Sequence, residues 1–153
     1  MIKNIVRGHD NELIFRIKQL HTGKVVDLDS DLGYPLTGVR IFLYNKFRQV
    51  QLKYAVDIVN SAWSNVTGFN QIYPEKKDKG IVSIKVSRAD IKDMSAGPYY
   101  VRSILIFERS GFPSGLEYRS VPNELFYAGQ VVGENEFDNQ ESETTFSGGY
   151  ETE

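Results

Sequence analysis

The sequence contains no cysteine, only two histidines, and no long apolar run. The lack of cysteine excludes disulfides, thiolate metal ligands and thiol nucleophiles. No apolar stretch approaches the roughly 20 residues that a membrane-spanning helix needs, so we expect no membrane partner. The opening MIKNIVRGHD lacks the apolar core and small-residue cleavage site of a signal peptide. We therefore expect the chain to be made and folded in a cytosol.

The motifs of common enzyme classes are also missing. A serine hydrolase requires a nucleophile on a sharp turn, a histidine base and an orienting carboxylate, but no Gly-x-Ser-x-Gly occurs. Ser114 lies in GFPSG, and His9 and His21 lie in predicted turns. No phosphate-binding Gly-x-x-x-x-Gly-Lys occurs, and no facing pair of carboxylates for glycoside hydrolysis can be chosen. We expect no enzymatic activity and no cofactor.

Metal binding has one candidate site in the sequence. Two histidines without cysteine do not match a zinc site. DLDSDLG, residues 27–33, places Asp27, Asp29 and Asp31 at alternating positions, as at the start of a calcium loop. However, glycine falls at the seventh position instead of the sixth, and Gly38 occupies the twelfth, where glutamate is required. A solvated turn with aspartates bonded to the backbone is the favoured interpretation, and a cation site is the alternative.

The net charge of −2 is unevenly distributed. Seven of the 20 acidic residues lie in residues 134–153, which contain no lysine or arginine. The other 13 acids face all 18 basic residues, so residues 1–133 carry a net charge of about +5. The basic residues form no dense run beyond EKKDK at 75–79, and we expect no nucleic-acid partner.

Alternation of apolar and polar residues predicts β-strands along most of the chain. The predicted strands cover residues 11–19, 39–45, 50–59, 80–87, 99–108, 116–121 and 124–132. Residues 60–79 predict a long loop or a poorly specified strand pair, and RADIKDM at 88–94 predicts one short helical turn. About seven or eight short strands with hardly any helix indicate an all-β sandwich over residues 1–132.

Residues 133–153 differ in character from the predicted sandwich. They are acidic and rich in Ser, Thr, Asn and Gly, and they bury too little apolar area to offset their ordering entropy. One interpretation is a flexible, solubilising tail. The other is an interaction arm that docks its aromatic residues, Phe137, Phe146 and Tyr150, on a neighbouring subunit.

Several short motifs in this order resemble the immunoglobulin-like β-sandwich of tailed-bacteriophage virion proteins, such as the amino-terminal domain of baseplate upper proteins. The first match is RGHD, which resembles the turn before that family's first strand, and further matches lie in VVDL, LTG, the GIVSIKVSRADIKDMSAGPYY unit and GQVV. The matching residues are Arg7, Gly8, Asp10, Val26, Asp27, Leu28, Leu36, Thr37, Gly38, Gly80, Asp90, Met94, Gly97, Tyr99, Gly129 and Val131. Residues 29–35, 60–79 and the acidic tail are not part of that pattern.

The resemblance implies an immunoglobulin-like antiparallel β-sandwich that works as a non-catalytic structural protein of the virion. It would assemble, as a homo-oligomeric ring and with other virion proteins, in the tail, baseplate or neck connector. A carbohydrate-binding or receptor-binding β-sandwich is the alternative. A positive body and a negative tail favour contacts between copies.

Candidate contact residues are aromatic side chains of residues 60–79 and of the acidic tail, and apolar side chains on one face of residues 99–108. Residues 99–108 carry apolar side chains on both faces, which predicts a central strand or one whose outer face meets a partner. The candidates are Trp63, Phe69, Tyr73, Ile104, Ile106, Phe137, Phe146 and Tyr150, and an ordinary core position is the competing interpretation for Trp63.

Overall fold

The computed structural model describes residues 4–19, 36–59, 62–76, 80–92, 94–132 and 143–150. These residues form ten β-strands and no helix, which confirms the all-β class. The strands are β1 (Ile5–Val6), β2 (Asn11–Gln19), β3 (Leu36–Tyr44), β4 (Val50–Val59), β5 (Ala62–Asn65), β6 (Asn70–Lys76), β7 (Ile81–Val86), β8 (Gly97–Glu108), β9 (Leu116–Val132) and β10 (Glu143–Tyr150). Within the described ranges, no helix has the length and apolarity to cross a membrane.

The strands form one mixed sheet in the order β1-β9-β8-β3-β4-β6-β7-β2-β10, and β5 pairs with the end of β4. Three ladders are parallel: β1 with β9, β4 with β6, and β2 with β10. β10 also comes within 8 Å of β9 between Cα atoms, so the sheet nearly closes on itself. The expected immunoglobulin-like antiparallel sandwich is therefore not confirmed by these pairings. Alternation in the sequence reports the face that a residue occupies, but it carries no information on the direction of the neighbouring strand.

The core fills the space between the two sides of this sheet. Val39, Ile41 and Leu43 of β3 point inward and pack in one cluster with Leu13 and Phe15 of β2. This packing places β2 across the core from β3. The alternate residues of β3 and β8 point outward, as their sequence pattern predicts.

Tyr54 of β4 is a polar member of the core. Its side chain is fully buried, and its hydroxyl donates a hydrogen bond to the Lys85 carbonyl oxygen at 3.1 Å. Burial, with a smaller contribution from the negative charge of Asp90, raises the pKa of Tyr54 far above its ordinary value. The phenol is therefore held in its neutral form.

The expected short helical turn at 88–94 is wrong, because this part of the chain forms turns. Ser87 and Asp90 exchange hydrogen bonds as in a capping box: each backbone N–H donates to the other side chain at 3.1 Å. One helical bond follows, from the Ile91 N–H to the Ser87 carbonyl. The next bonds, to Ala89 and Ile91, span only three residues, so no helix develops.

The segment 60–79, predicted as a loop or a strand pair, contains two strands, β5 and β6. They do not pair with each other in a ladder. β5 runs antiparallel to the end of β4, and β6 runs parallel to the middle of β4 before pairing with β7. β6 therefore carries the sheet from one side of the core to the other.

The acidic C-terminal region contains β10, which pairs with β2 and starts with Glu143 opposite Ile14. Phe137 lies outside the described residues, as do residues 133–142 and 151–153. The backbones of Phe146 and Tyr150 lie opposite Ile17 and Gln19 of β2. The division into a domain at 1–132 and a tail or arm at 133–153 stays a prediction.

Candidate interaction surface

The outward side chains of β8, β3 and β4 line up in rows across the sheet, because strand register places paired residues on the same face. The four rows are Ile106–Gly38–Asp57, Ile104–Arg40–Ala55, Arg102–Phe42–Lys53 and Tyr100–Tyr44–Val50. Phe69, from the β5–β6 connection, and Arg48, from the β3–β4 turn, lie over these rows. We call the four rows together with Phe69 and Arg48 the cationic face.

Arg40 is held in place near the centre of the cationic face. Its guanidinium forms an ion pair with Asp57 at 2.8 Å and donates to the carbonyls of Val56 at 2.9 Å and Val39 at 3.2 Å. Gly38 makes this arrangement possible: a Cβ there would stand 3.1 Å from Arg40 Nη1 and 3.2 Å from Asp57 Oδ1. The close approach therefore explains glycine within β3.

Phe69 connects two cations with the aromatic ring of Phe42 in β3. Its ring centre lies 5.7 Å from the Arg40 guanidinium carbon and 5.3 Å from Lys53 Nζ. The Phe42 ring meets it edge-on, with 6.4 Å between centroids and 71° between planes. These are favourable cation–π and aromatic geometries, so they fix the positions of half-buried rings and charged groups together.

The β3–β4 turn at the end of the cationic face is tightly hydrogen-bonded. The buried Asn45 side-chain oxygen accepts from the backbone N–H groups of Phe47 at 2.9 Å and Gln49 at 3.0 Å. The Arg48 N–H donates to the Asn45 carbonyl at 2.9 Å, and Arg48 adopts a left-handed φ of 61°. The Asn45 side chain therefore holds this backbone in one conformation.

This turn presents an exposed aromatic ring, and both residues next to it in the sequence are cations. Phe47 is 66% exposed, and Lys46 Nζ lies 5.2 Å from its ring centre. The Arg48 guanidinium carbon lies 5.4 Å from the ring centre of Tyr100. A rigid backbone that displays a phenylalanine beside positive charges is suited to binding a partner, since less conformational freedom is lost on contact.

The cationic face is positively charged as well as aromatic. Arg40, Lys53, Arg102 and Arg48 supply four positive charges, and Asp57 is the one acidic residue in the four rows. The formal charges of the four rows and Arg48 therefore sum to +3, and Arg40 and Asp57 form an ion pair within that sum. A surface of this composition favours a partner that combines negative charge with apolar groups.

The predicted contact residues occupy different places. Phe69 and Ile104 are half-buried and lie together on the cationic face, whereas Ile106 is in its first row but buried. Trp63 packs against the core cluster, in agreement with the competing core interpretation. Tyr73 lies on β6, where Lys85 Nζ approaches its ring to 4.5 Å. The side chains of Phe137, Phe146 and Tyr150 are outside the described part of the chain.

The contact residues predicted from the sequence include neither the cations of this face nor the exposed β3–β4 turn. Arg40, Phe42 and Lys53 belong to two strands, and only the β3–β4 register brings them into contact with Phe69. The pattern KFR at residues 46–48, an apolar residue between two cations where two strands meet, is the one signal that could have identified the turn.

The chemically reactive candidates lie elsewhere or outside the described ranges. The described residues contain no group of three His, Cys, Asp or Glu side chains placed to hold a metal ion. Asp27, Asp29, Asp31 and His21 fall outside them. Ser114 is bonded within the β8–β9 turn, where its hydroxyl oxygen lies 3.3 Å from both the carbonyl oxygen and the nitrogen of Leu116.

Comparisons with known proteins identify no relative. The chain matches no protein-family model, and searches of curated proteins and of solved structures return no significant match. The resemblance to phage virion proteins therefore stays a prediction from short motifs.

Proposed function

We propose that this protein is a non-enzymatic structural subunit that self-associates through its cationic face. The observation that carries the proposal is the rigid β3–β4 turn, which displays Phe47 at 66% exposure beside the aromatic and cationic rows. Aromatic residues and arginine are the types that dominate the energetics of protein interfaces.

The composition of the face supports contact with protein. Half-buried rings such as Phe42 and Phe69 provide apolar area, and Lys53 and Arg102 surround them with positive charge. Apolar centres with polar borders are the usual anatomy of a specific interface. Charge at the border fixes the orientation of the partner.

We further propose that the subunit belongs to a tailed-phage virion, in its tail, baseplate or neck connector, and that its layers correspond to an immunoglobulin-like sandwich. Support for this comes from the motifs quoted above. The backbone conformation explains one of the matching residues. Gly97 starts β8 at φ 129°, a conformation that residues with a Cβ rarely adopt, so glycine is favoured at this position. Virion rings are built from repeated copies of one chain, which agrees with a self-associating module.

Light scattering coupled to size-exclusion chromatography tests the self-association. The full-length chain should form a defined oligomer, and Phe47→Asp should reduce its mass or raise the concentration needed to form it. Val59→Asp is the matched control, because Val59 is exposed to a similar extent, 64%, at the far end of β4. Both changes lie at exposed positions, so circular dichroism should show an unchanged fold.

Two results would contradict the proposal. One is a wild-type chain that stays monomeric at its highest soluble concentration. The other is an oligomer that Phe47→Asp and Val59→Asp weaken equally, because the contact would then not depend on the β3–β4 turn. A monomer that binds a glycan array would favour the carbohydrate- or receptor-binding alternative.

A further inference from the structure

We propose that the β3–β4 turn of one copy of this chain binds residues 108–118 of the next copy, so that the subunits associate head to tail. Residues 108–118 end β8, form the β8–β9 turn and begin β9, and we call them the hairpin end. The inference rests on the proposed self-association and names the surface that the turn contacts.

The exposed aromatic side chains lie at opposite ends of the sheet. Among the described residues, the aromatic side chains exposed to solvent are Phe47 at 66%, Phe112 at 39% and Tyr118 at 61%. Phe47 lies in the β3–β4 turn, whereas Phe112 and Tyr118 belong to the hairpin end. Exposed rings supply the apolar area that anchors contacts between proteins.

The β3–β4 turn and the hairpin end are too far apart to meet within one chain. β3 and β8 pair from Leu36 opposite Phe107 to Tyr44 opposite Tyr100. The β8–β9 turn follows the first of these pairs, and the β3–β4 turn follows the second. The eight steps from residue 36 to residue 44 of an extended strand separate the two turns by roughly 26 Å. A contact between them therefore requires a second copy.

The hairpin end holds its side chains in fixed positions. The Arg109 N–H donates to the Gly115 carbonyl at 2.9 Å, and the Gly115 N–H donates to the Phe112 carbonyl at 2.9 Å. The Arg109 guanidinium carbon lies 5.3 Å from the Phe112 ring centre, and Arg109 forms an ion pair with Glu117 at 3.2 Å. Two rigid turns lose little conformational freedom when they meet, which favours binding.

The charges of the two surfaces are opposite. Lys46 and Arg48 give the β3–β4 turn a formal charge of +2, because the turn contains no acidic residue. The hairpin end contains Glu108, Arg109 and Glu117, whose formal charges sum to −1. Since Arg109 and Glu117 form an ion pair with each other, exposed Glu108 is the carboxylate of the hairpin end that can meet a cation of the next copy.

Glu108 and Tyr118 are neighbours on the outer face of the hairpin end. The register places Glu108 opposite Leu116, two residues before Tyr118, so Glu108 and Tyr118 are diagonal neighbours roughly 7–8 Å apart. A carboxylate beside an exposed ring complements Arg48 beside Phe47. The Phe47 ring can therefore pack on Tyr118 while Arg48 pairs with Glu108.

Charge disfavours a contact between two like surfaces. A twofold contact between two β3–β4 turns would place Lys46 and Arg48 of both copies together, and like charges across an interface lower affinity. A head-to-tail contact uses a different surface of each copy. Repeated copies then form a closed ring or an open filament.

Mixing of two full-length variants tests the head-to-tail contact. Phe47→Asp removes the ring of the turn and Tyr118→Asp that of the hairpin end; both positions are exposed, so circular dichroism should show an unchanged fold. Each variant alone should self-associate at least tenfold more weakly than the wild type in sedimentation velocity. Because each keeps one intact surface, an equal mixture should form a heterodimer of twice the subunit mass and nothing larger. Val59→Asp stays the control, because β4 lies three strands from β9, roughly 14 Å.

Exchange of charge tests the contact of Arg48 with Glu108 and does not depend on Tyr118. Arg48→Glu and Glu108→Lys should each weaken self-association at least fivefold, because each places like charges together. A chain that carries both changes should recover the wild-type oligomer. Arg88→Glu with Glu108→Lys is the matched control: Arg88 is exposed in the turn after β7, the change in net charge is the same, and no recovery is expected.

Three outcomes would overturn the inference. If Phe47→Asp weakens self-association but Tyr118→Asp and Glu108→Lys do not, the proposed function stands and the turn binds another surface. If the mixture of Phe47→Asp and Tyr118→Asp stays monomeric at its highest soluble concentration, the two surfaces do not bind each other. A monomeric wild type would overturn the proposed function as well, and binding of anionic lipid vesicles that Phe47→Asp abolishes would then assign the turn to a membrane surface.

Discussion

Replacement of Tyr54 by phenylalanine should lower stability at neutral pH and raise it in alkali. The buried Tyr54 hydroxyl donates to the Lys85 carbonyl at 3.1 Å, and phenylalanine fills the same space without that bond. The carbonyl then loses its donor in a buried environment. We expect a decrease of about 1 kcal/mol in the free energy of unfolding.

The sign of the effect should reverse above pH 10. Burial, and to a smaller extent Asp90, raises the pKa of Tyr54 above its ordinary value of 10.0. The folded state keeps this proton where the unfolded chain has released it, so the stabilisation is complete below pH 10 and is lost as pH rises. The loss amounts to about 1.4 kcal/mol for each pH unit above 10. Because the phenylalanine variant lacks this dependence, the two stability curves should cross at about pH 10.7.

Urea unfolding between pH 7 and about pH 11.5, followed by circular dichroism, measures the difference in the free energy of unfolding between the wild type and Tyr54→Phe. Tyr118→Phe is the control, since Tyr118 is 61% exposed and its change removes a hydroxyl that is not buried. If the wild type and Tyr54→Phe lose stability in parallel above pH 10, the buried phenol does not resist ionisation and the reasoning fails.

Two further predictions concern the construction of the cationic face. Gly38→Ala should destabilise the protein by about 1 kcal/mol in urea unfolding, because the new Cβ crowds Arg40 and Asp57, and the cost should shrink in an Arg40→Met background. An equal cost in both backgrounds would contradict crowding of the guanidinium. Asn45→Ala should cost about 1–2 kcal/mol and weaken self-association, because two backbone N–H groups of the turn lose their acceptor. Asn45→Asp keeps an acceptor oxygen and should preserve most of both properties; equal losses in the two variants would rule out the role of this oxygen.

The inward faces of the strands could be predicted from the sequence with little else. Val39, Ile41 and Leu43 alternate with polar or aromatic residues, and the structure buries all three. The same alternation predicts the inward face of β8, including Tyr99 and Val101. Burial of apolar area is a local property of each strand face, so a period of two is sufficient to identify it.

Pairing direction and tertiary contacts could not be predicted in the same way. The parallel ladder between β4 and β6 depends on where the chain re-enters the sheet, and no residue of β6 encodes it locally. The sequence makes Ile106 a candidate contact residue on a strand that could also be central, and the structure places it opposite Gly38 and Tyr118, where it is buried. Ile104, two residues earlier, is half-buried on the cationic face. The register with the neighbouring strands decides which of these two environments a residue occupies, and the sequence of one strand does not specify that register.

The alternation of β3 also makes the proposed function experimentally separable from the fold. Ile41 points into the core, while its neighbours Arg40 and Phe42 point to the cationic face. A change at Ile41 should therefore act first on the free energy of unfolding, by about 2–5 kcal/mol for alanine. A change at exposed Lys53, across the register from Phe42, alters surface charge and leaves the core packing intact. Substitutions at Lys53 and Phe47 can then be compared by one criterion: self-association should weaken while the free energy of unfolding stays constant. That result would show that the four rows and the β3–β4 turn mediate the contact between subunits.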